Sequence, residues 1–293
     1  MWIVFAIGSA FFAGLTAILA KLGIRHTDST VATAIRTIVV VLCSWGMVFL
    51  THVQSTIGAI EPRTLFFLIL SGLATGASWL CYFKALQTGP VAQVAAIDKS
   101  STVLTILLAF LLLHETVSWA STLGVLFIAL GTWLMLDHKP SNQKSTDFNI
   151  SLKSTWLWYA AGSAIFASLS AILGKVGIEN IDSNVGTAIR TIVVLIMSWI
   201  MVLITHKQDT IKKISRRELG FILASGLATG ASWLCYYRAL HLGPASGVVP
   251  IDKLSILVTV FFSVTVLHEK LSRMAWTGLA IQTIGTLLMV LPV

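Results

Sequence analysis

The chain has 293 residues, of which 56% are hydrophobic and 11% charged, and its mean hydropathy is +0.87. These values exclude an ordinary soluble domain and indicate a chain that lies in a lipid bilayer. The formal net charge of +8 would suit a nucleic-acid partner, but the basic residues lie in the breaks between apolar stretches, which membrane topology explains better. We therefore expect the bilayer as a partner and no nucleic acid.

Apolar stretches recur along the whole chain, and each is close to the length of about 20 residues that crosses the hydrocarbon core as a helix. The first stretch lacks a basic leading region and runs directly into repeated sequence, so we interpret it as a membrane span rather than a cleavable signal. The predicted spans are 2–22, 31–50, 65–86, 90–112, 117–136, 156–176, 185–204, 219–240, 244–267 and 272–291.

Three cysteines, Cys43, Cys81 and Cys235, fall inside predicted spans. A disulfide framework is therefore not expected, and the cysteines do not have the spacing of metal ligands. We interpret them as packing residues and expect neither a metal nor another cofactor.

The chain contains much of its own sequence twice. GLATGASWLCYFKALQTGP begins at Gly72, and GLATGASWLCYYRALHLGP begins 154 residues later at Gly226, with 15 of 19 positions identical. The same register repeats TAIRTIVV, which begins at residue 33 and again at residue 187. The sequence therefore predicts two five-helix repeats, residues 1–136 and 156–293, joined by a polar linker at residues 137–155.

Each repeat has an odd number of spans, so the second must enter the membrane in the opposite direction to the first. We predict an all-α membrane protein with ten transmembrane helices in two inverted repeats, a common plan of secondary transporters, although a duplication can also be merely structural. Of 12 lysines and arginines without a basic counterpart in the other repeat, 11 fall on one side of the membrane. The positive-inside rule makes that side cytoplasmic and places both termini outside the cytoplasm.

These features together resemble the EamA family of the drug/metabolite transporter superfamily, and the resemblance covers nearly the whole chain. Its marks are an arginine early in the second span, the ends CYFKALQTGP and CYYRALHLGP of the third, and an acidic residue closing the fourth. These residues are Arg36, Arg190, Glu115 and Glu269. Where the family usually has Gly-Glu, this chain has His-Glu, with His114 and His268. The resemblance implies a ten-helix carrier of small organic metabolites in a bacterial-type plasma membrane, often an exporter of amino acids or related compounds.

Ionisable residues inside the predicted spans are informative, because a charge within the bilayer normally faces a cavity or a partner. Arg36 and Asp98 each lie within the first nine residues of helices that start on the same side of the membrane. At a rise of about 1.5 Å per residue their depths are similar. We predict the ion pair Arg36–Asp98 and, in the second repeat, the equivalent pair Arg190–Asp252.

Basic residues near these pairs extend them into two clusters on opposite membrane faces. One cluster contains Lys21, Arg36, Lys84, Asp98 and Lys99, and the other contains Lys175, Arg190, Arg238, Asp252 and Lys253. We hypothesise that the clusters are two gates, each opening as the other closes. Alternatively, the pairs only neutralise charge and fix helix packing, and several lysines extend to lipid headgroups.

A polar stripe on the fourth span favours an inward-facing cavity. Asp98, Ser101, Thr102 and Thr105 follow helical spacing along one face, and lipid contact would be costly for them. Trp79 and Trp233 each share a face with small residues of GLATG, where they either wall a substrate or pack. The predicted substrate-binding or gating residues are Arg36, Asp98, Lys99, Thr102, Trp79, Arg190, Asp252, Lys253 and Trp233.

The charges also bear on the substrate. The small multidrug exporters, which the five-helix unit also resembles, use an acid in the first helix to bind protons and cations; here Ala13 and Ala167 occupy the expected positions. Eight of the ten cluster residues are basic, which favours a substrate with an anionic group.

We therefore predict a secondary transporter of small amino-acid-like or anionic metabolites that works by alternating access and exports its substrate. The sequence leaves the oligomeric state open, and we favour a monomer. The alternative is an accessory or structural membrane subunit without transport activity of its own. An enzyme is not expected, because the sequence has no nucleophile elbow, no HExxH motif and no phosphate-binding loop.

Overall fold

A computed structural model of the protein describes residues 1–113, 119–136, 150–178, 181–242, 248 and 251–289. The regular structure of these residues is helical throughout. The long helices are α1 (Trp2–Gly23), α2 (Ser29–Leu50), α3 (Pro62–Thr88), α4 (Val91–Leu113), α5 (Trp119–Met135), α6 (Ile150–Gly177), α7 (Ser183–Ile204), α8 (Arg216–Leu242), α9 (Ser255–Thr265) and α10 (Arg273–Leu288). A 3₁₀ helix at Gln54–Ala59 and a single turn at Gln208–Ile211 occupy the equivalent connections before α3 and α8.

Local sequence explains where the equivalent helices α2 and α7 begin and end. The carboxylates of Asp28 and Asp182 each accept a hydrogen bond from the backbone N–H two residues later, at 2.9 and 2.8 Å, and so cap the first turns. His52 and His206 follow the last turns with φ of 55° and 51°. This left-handed conformation ends a helix in a Schellman motif, in which the following N–H returns to a carbonyl of the last turn.

Glycines show that equivalent helices of the two repeats run antiparallel. α5 and α10 occupy the same place in their repeats, and Gly124 lies opposite Gly285 while Gly131 lies opposite Gly278. A Cβ atom on any of these four glycines would lie only 2.6–2.8 Å from a backbone oxygen of the other helix, so the two backbones touch. The repeats are therefore inverted relative to each other, as predicted.

The two repeats interleave and do not simply lie side by side. α1 packs mainly against α8 of the other repeat, and its equivalent α6 packs mainly against α3. The pairs α2–α7 and α4–α9 also cross the boundary between repeats. Serine pairs mark the exchanged contacts, with Ser9 bonded to Ser232 and Ser163 bonded to Ser78. The interior surface is therefore built jointly by both halves.

Seven of the described helices, α1–α4 and α6–α8, are long and apolar enough to cross a membrane, and α5 is a shorter apolar helix. Large apolar side chains such as Phe66, Leu111 and Ile204 are exposed on the outside, as lipid contact allows. The prediction of an all-α multi-pass membrane protein with two inverted repeats is confirmed.

Two predicted boundaries differ from the structure. The ninth span was expected to be one helix over 244–267, but residues 251–253 form a helical turn that is interrupted at Leu254, and α9 begins at Ser255. At the interruption the Leu254 N–H donates to the carbonyl of Ile251, three residues earlier, at 3.1 Å. α6 begins at Ile150, inside the stretch predicted as linker, and residues 137–149 lie outside the described residues.

Candidate functional site

A cavity of about 550 Å³ lies between the repeats. It is surrounded by α1, α2, α3 and α4 of the first repeat and by α6, α7, α8 and Lys253 of the second. The residues that line it are Ala13, Thr16, Ala17, Arg36, Thr75, Ser78, Trp79, Tyr82, Phe83, Asp98, Lys99, Ser101, Thr102, Thr105, Ala167, Ser170, Ala171, Arg190, Thr229, Ser232, Trp233 and Lys253. A second space of about 250 Å³ adjoins it beside α7 and shares Thr75, Trp79, Arg190 and Trp233 with it.

Eight of the nine predicted site residues line this cavity. They are Arg36, Trp79, Asp98, Lys99, Thr102, Arg190, Trp233 and Lys253. The ninth, Asp252, lies beside the cavity and accepts a hydrogen bond from Ser9 on α1. The structure therefore brings the predicted residues of both repeats to one place, although the two repeats contribute unequally.

Arg36 is the most deeply buried charged group of the cavity, with 3% of its surface exposed. Its Nε donates to Ser225 at 3.2 Å and its Nη2 to Thr229 at 2.7 Å, both on α8 of the other repeat. Its guanidinium carbon lies 4.9 Å from the ring centre of Trp79 and 4.5 Å from that of Phe83, at cation–π distance. Hydroxyls and aromatic faces thus fix the guanidinium at the cavity wall.

Arg190 has the equivalent arrangement in the second repeat. Its Nη2 donates to Thr75 of α3 at 3.0 Å and to Ser170 of α6 at 2.9 Å. Thr75 is the repeat equivalent of Thr229, so each arginine of one repeat bonds to the third helix of the other. Unlike Arg36, Arg190 is only half-buried.

The predicted ion pairs are not formed. Among the described residues, no carboxylate oxygen lies within 4 Å of Arg36, and Arg190 and Asp252 do not form a salt bridge. The arginines bond instead to serine and threonine hydroxyls, three of the four on the opposite repeat, which the exchange of helices brings to them. The sequence placed Arg36 and Asp98 at similar depth, but it did not show which side chains of the other repeat would reach Arg36.

The two equivalent aspartates have equivalent hydrogen-bond donors. Ser163 of α6 donates to Asp98 at 3.4 Å, and Ser9 of α1 donates to Asp252 at 2.6 Å. The polar stripes that follow these acids differ more. Ser101, Thr102 and Thr105 of α4 line the cavity, whereas the equivalent face of α9 is buried against α1, where Thr259 donates to the carbonyl of Gly14.

The sequence GLATG has a packing role in both repeats. A Cβ atom on Gly72 would lie 2.7 Å from the side chain of Val193, and one on Gly226 would lie 2.8 Å from that of Val39. These glycines therefore bring α3 against α7 and α8 against α2. The close packing helps to position the tryptophans of the next helical turns, Trp79 and Trp233, at the cavity.

The protein has two ends, which we name by the turns between helices. Side 1 is the end where α1 finishes and α2 begins, and side 2 is the end where α6 finishes and α7 begins. Arg36 and Ala17, near side 1, are buried. Of their equivalents near side 2, Arg190 is half-buried and Ala171 is exposed. Lys175, near side 2, is also exposed. The cavity is therefore more closed toward side 1 than toward side 2.

Polar contacts between the repeats hold side 1 together. The carboxylate of Glu218 at the start of α8 accepts hydrogen bonds from the His26 N–H at 2.8 Å and from the Thr27 hydroxyl at 2.7 Å. Lys207 forms a 2.8 Å salt bridge with Asp28. Burial would raise the pKa of Asp28, but hydrogen bonds from Lys207 and the Thr30 N–H hold it below its usual value.

The turn between α3 and α4 is also held on side 1. Glu269 accepts hydrogen bonds from the Val91 and Ala92 N–H groups at 2.7 and 3.1 Å, and so caps α4 from the other repeat. Lys21 donates to the carbonyls of Leu86 and Gly89 at the end of α3. Lys21 thus joins the end of α1 to the end of α3 by hydrogen bonds. Glu115 and His114 lie outside the described residues.

The contacts of Glu218 and Lys207 were not predicted from the sequence, because both residues lie outside the repeated apolar segments. A signal was nevertheless present, because both stand where the first repeat has an uncharged residue, Thr64 and Val53 respectively. Differences between the repeats, more than their identities, identify the contacts that make side 1 unlike side 2.

Comparisons with known proteins agree with this architecture. The sequence matches the EamA-like transporter family over residues 1–137 and 154–291. An uncharacterized transporter in the cobO 3′ region of Sinorhizobium sp is 44% identical over 138 residues, which cover 47% of this chain and 98% of that relative. That relative is therefore about as long as one repeat.

Two further likenesses are more limited. A probable 4-amino-4-deoxy-L-arabinose-phosphoundecaprenol flippase subunit ArnF of Proteus mirabilis (strain HI4320) is 35% identical over 78 residues, 26% of this chain and 57% of that relative. A protein of known crystal structure superposes with a TM-score of 0.66 over 96% of this chain and 94% of its own, at 16% identity, which shows a shared fold.

Proposed function

The chain belongs to the EamA-like transporter family, and from that membership we propose that it is a secondary transporter that moves small amino-acid-like or anionic metabolites by alternating access. The family and the named relative make it a membrane transporter in general terms. The substrate class and the direction of transport are our proposal.

The observation that carries the proposal is that Arg36 and Asp98 line one cavity without pairing with each other. Two N–H groups of the Arg36 guanidinium bond to hydroxyls, and the remaining three have no acceptor among the described residues. A buried guanidinium without a counter-anion favours a bound carboxylate, which it can contact with two parallel hydrogen bonds.

Asp98 supplies the opposite charge. Its described hydrogen bond, from Ser163, is long at 3.4 Å, so the carboxylate retains capacity to accept hydrogen bonds from an ammonium group. Tyr82 lines the same cavity and lies within electrostatic range of both Arg36 and Asp98. A zwitterion with its carboxylate at Arg36 and its ammonium at Asp98 would give each of these side chains an opposite charge.

The size and walls of the cavity fit such a ligand. Small-molecule sites commonly occupy about 300–1,000 Å³, and this cavity has about 550 Å³. Trp79, Trp233 and Phe83 offer apolar faces for a side chain. Lys99 and Lys253 add positive charge, which favours compounds with an anionic group over simple cations.

We place the chain in a plasma membrane of bacterial type with side 1 in the cytoplasm and both termini outside. The exposed basic residues support this orientation, since Lys212, Lys213, Arg216, Arg217 and Lys270 all lie on side 1. The resemblance to metabolite exporters supports outward transport. A C-terminal reporter that proved cytoplasmic would contradict the orientation.

The proposal is tested by thermal unfolding of the purified protein in detergent with amino acids, organic acids, nucleosides and quaternary amines. A ligand of the native state at a hundred times its Kd stabilises it by about 2.7 kcal/mol. We expect stabilisation by one class of carboxylate-bearing compounds and a loss of about tenfold or more in affinity in Arg36→Lys and Asp98→Asn, because each loses a charge-assisted contact.

Matched controls exist outside the cavity. Arg217 stacks on Phe221 at 5.9 Å, and Asp209 is exposed, so Arg217→Lys and Asp209→Asn should bind as the parent protein does. Uptake into proteoliposomes then measures transport of the compound that binds. Binding of quaternary amines but of no carboxylate would overturn the substrate class.

An accessory subunit is the second candidate, and one observation favours it. The likeness to ArnF is to a protein named as a flippase subunit. If the purified chain is folded, binds none of the compounds and transports none of them alone, this candidate replaces the first.

A further inference from the structure

Two hydrogen-bond chains with the same residues run beside the cavity, one in each repeat pair. In one, Ser232 of α8 donates to the backbone carbonyl of Ser9 on α1, and the Ser9 hydroxyl donates to Asp252. In the other, Ser78 of α3 donates to the carbonyl of Ser163 on α6, and Ser163 donates to Asp98. The two chains are related by the inverted repeat, position by position.

The two hydrogen-bond chains differ in the length of the serine–aspartate bond and in whether the aspartate lines the cavity. The Ser9 hydroxyl lies 2.6 Å from Asp252, a short bond typical of a hydroxyl and a carboxylate, and Asp252 does not line the cavity. The Ser163 hydroxyl lies 3.4 Å from Asp98, at the limit of a hydrogen bond, and Asp98 does line the cavity. Asp252 is therefore bonded to its serine outside the cavity lining, whereas Asp98 faces the cavity.

We propose that Asp98 and Asp252 bind the cationic group of the substrate in turn, one in each conformation of the transporter, and that Ser9 and Ser163 hold whichever acid is withdrawn. This inference rests on the proposed function, because it assigns roles within the same cavity. Ser9 and Ser163 are positioning residues and do not themselves contact the substrate.

The inverted repeat supplies the reason for the exchange. In an inverted-repeat transporter, the two conformations are related by exchanging the arrangements of the two repeats. The opposite conformation would thus give Asp252 the open position of Asp98, and would bring Ser163 within a short bond of Asp98. Arg36 is buried and Arg190 is half-buried in this conformation. In the opposite conformation Arg190 would be the buried arginine and Arg36 the half-buried one.

A withdrawn carboxylate needs a donor, because an ionised acid without one is costly in an apolar interior. Asp252 has Ser9 as donor. Lys99, Asp252 and Asp98 lie within electrostatic range of Lys253. In this conformation the bond from Ser9 supplies that donor to Asp252.

The first experiment measures the conformational equilibrium without any substrate. Ala171 and its repeat equivalent Ala17 both line the cavity, the first exposed toward side 2 and the second buried toward side 1. Ala171→Cys and Ala17→Cys, each made after replacement of Cys43, Cys81 and Cys235 by alanine, report access through their reaction with a membrane-impermeant thiol reagent added from either side.

The two serine substitutions should act in opposite directions. Ser9→Ala should raise labelling at position 17 and lower it at position 171, by about tenfold in the ratio, since a hydrogen bond to a charged group is worth about that factor. Ser163→Ala should change the ratio the other way. Ser198→Ala is the matched control, because Ser198 is buried and donates to the carbonyl of Leu195 in its own helix.

The second experiment measures binding from each side in proteoliposomes, with the amino acid that best stabilises the parent protein. Asp98→Asn should weaken binding from side 2 and Asp252→Asn binding from side 1, each by about tenfold or more. Equal weakening from both sides by either variant, or serine substitutions that change the labelling ratio in the same direction, would overturn the inference.

These outcomes are separate from failure of the proposed function. If no amino acid or organic acid binds the parent protein, the proposed substrate class fails, and the labelling experiment still decides whether the serines control the conformation. If binding is found but the labelling ratio is unchanged by both serine substitutions, the alternation of the acids fails and the transporter proposal stands.

Discussion

At the scale of single residues, Arg36 shows what depth alone can predict. Its position inside an apolar span predicts that it faces a cavity or a partner, and it does line the cavity. Its partners could not be predicted, because Ser225 and Thr229 lie 189 and 193 residues away in the chain. They belong to a helix that packs on α2 only because the repeats interleave.

The salt bridge between Lys207 and Asp28 gives a prediction about pH. The pKa of Asp28 is lowered in the folded protein, so the stability gained from the charged form is present above the unfolded pKa of about 3.9 and is lost as the pH falls through the lowered value. Asp28→Asn keeps a helix-capping side chain but removes the charge. We expect it to lower the free energy of unfolding by at most about 1 kcal/mol at neutral pH.

Thermal unfolding at pH 7 and at about pH 3 measures this difference. The deficit of Asp28→Asn relative to the parent protein should shrink at the lower pH. Lys207→Val, which installs the residue of the first repeat, should reproduce the deficit at pH 7. A deficit that does not change with pH would show that the cap, and not the ion pair, causes it.

At the scale of helices, the crossing of α5 and α10 depends on glycine. The sequence predicted the existence and approximate bounds of both helices from apolar length, but not the close contact between them. A Cβ atom at Gly131 would lie 2.6 Å from the N atom of Gln282 and from the O atom of Gly278. These are backbone atoms that cannot move away as a flexible side chain can.

We therefore expect Gly131→Ala to destabilise the protein by about 1–3 kcal/mol, in the range of overpacked cores. The measurement is the unfolding temperature in detergent followed by tryptophan fluorescence. Gly46→Ala is the control, since Gly46 also lies within a helix, α2, and no atom outside its own helix backbone lies within 4 Å of the added Cβ. A larger effect at Gly46 than at Gly131 would contradict the packing argument.

At the scale of the whole molecule, interleaving predicts that neither half is stable alone. α1 packs mainly on α8 and α6 mainly on α3, so a separate half would expose the surfaces of its first and third helices. Residues 1–136 and 150–293 expressed as separate chains should copurify when produced together, and each should be degraded or aggregate when produced alone. Stable monodisperse single halves would contradict this prediction.

Side 1 gives the second prediction at this scale. Glu218 is replaced in the first repeat by Thr64, so the carboxylate contacts to His26 and Thr27 exist at this end. Glu218→Thr should raise thiol labelling of Ala17→Cys from side 1, because two charge-assisted contacts are lost. Glu218→Gln retains an acceptor and should have a smaller effect. Labelling that is unchanged in Glu218→Thr would show that these contacts do not hold side 1 closed.

The fold was predictable because the length of each apolar span and the constant offset of 154 residues between the repeats can be read directly from the sequence. The candidate cavity was predictable in part, since eight of nine predicted residues line it. The unequal surroundings of equivalent residues were not predictable, because 15 of 19 identical positions in the third spans suggest equal environments, whereas Arg36 is buried and Arg190 is half-buried in the folded chain.

The difference between Glu218 and Thr64 also determines how unlike the two ends can be. In an assembly of two identical chains, every substitution appears at both ends at once. Here the two repeats share one chain, so Glu218 stands at side 1 while Thr64 occupies the equivalent place at side 2. Covalent linkage of the repeats therefore lets the two entrances differ in charge and in strength.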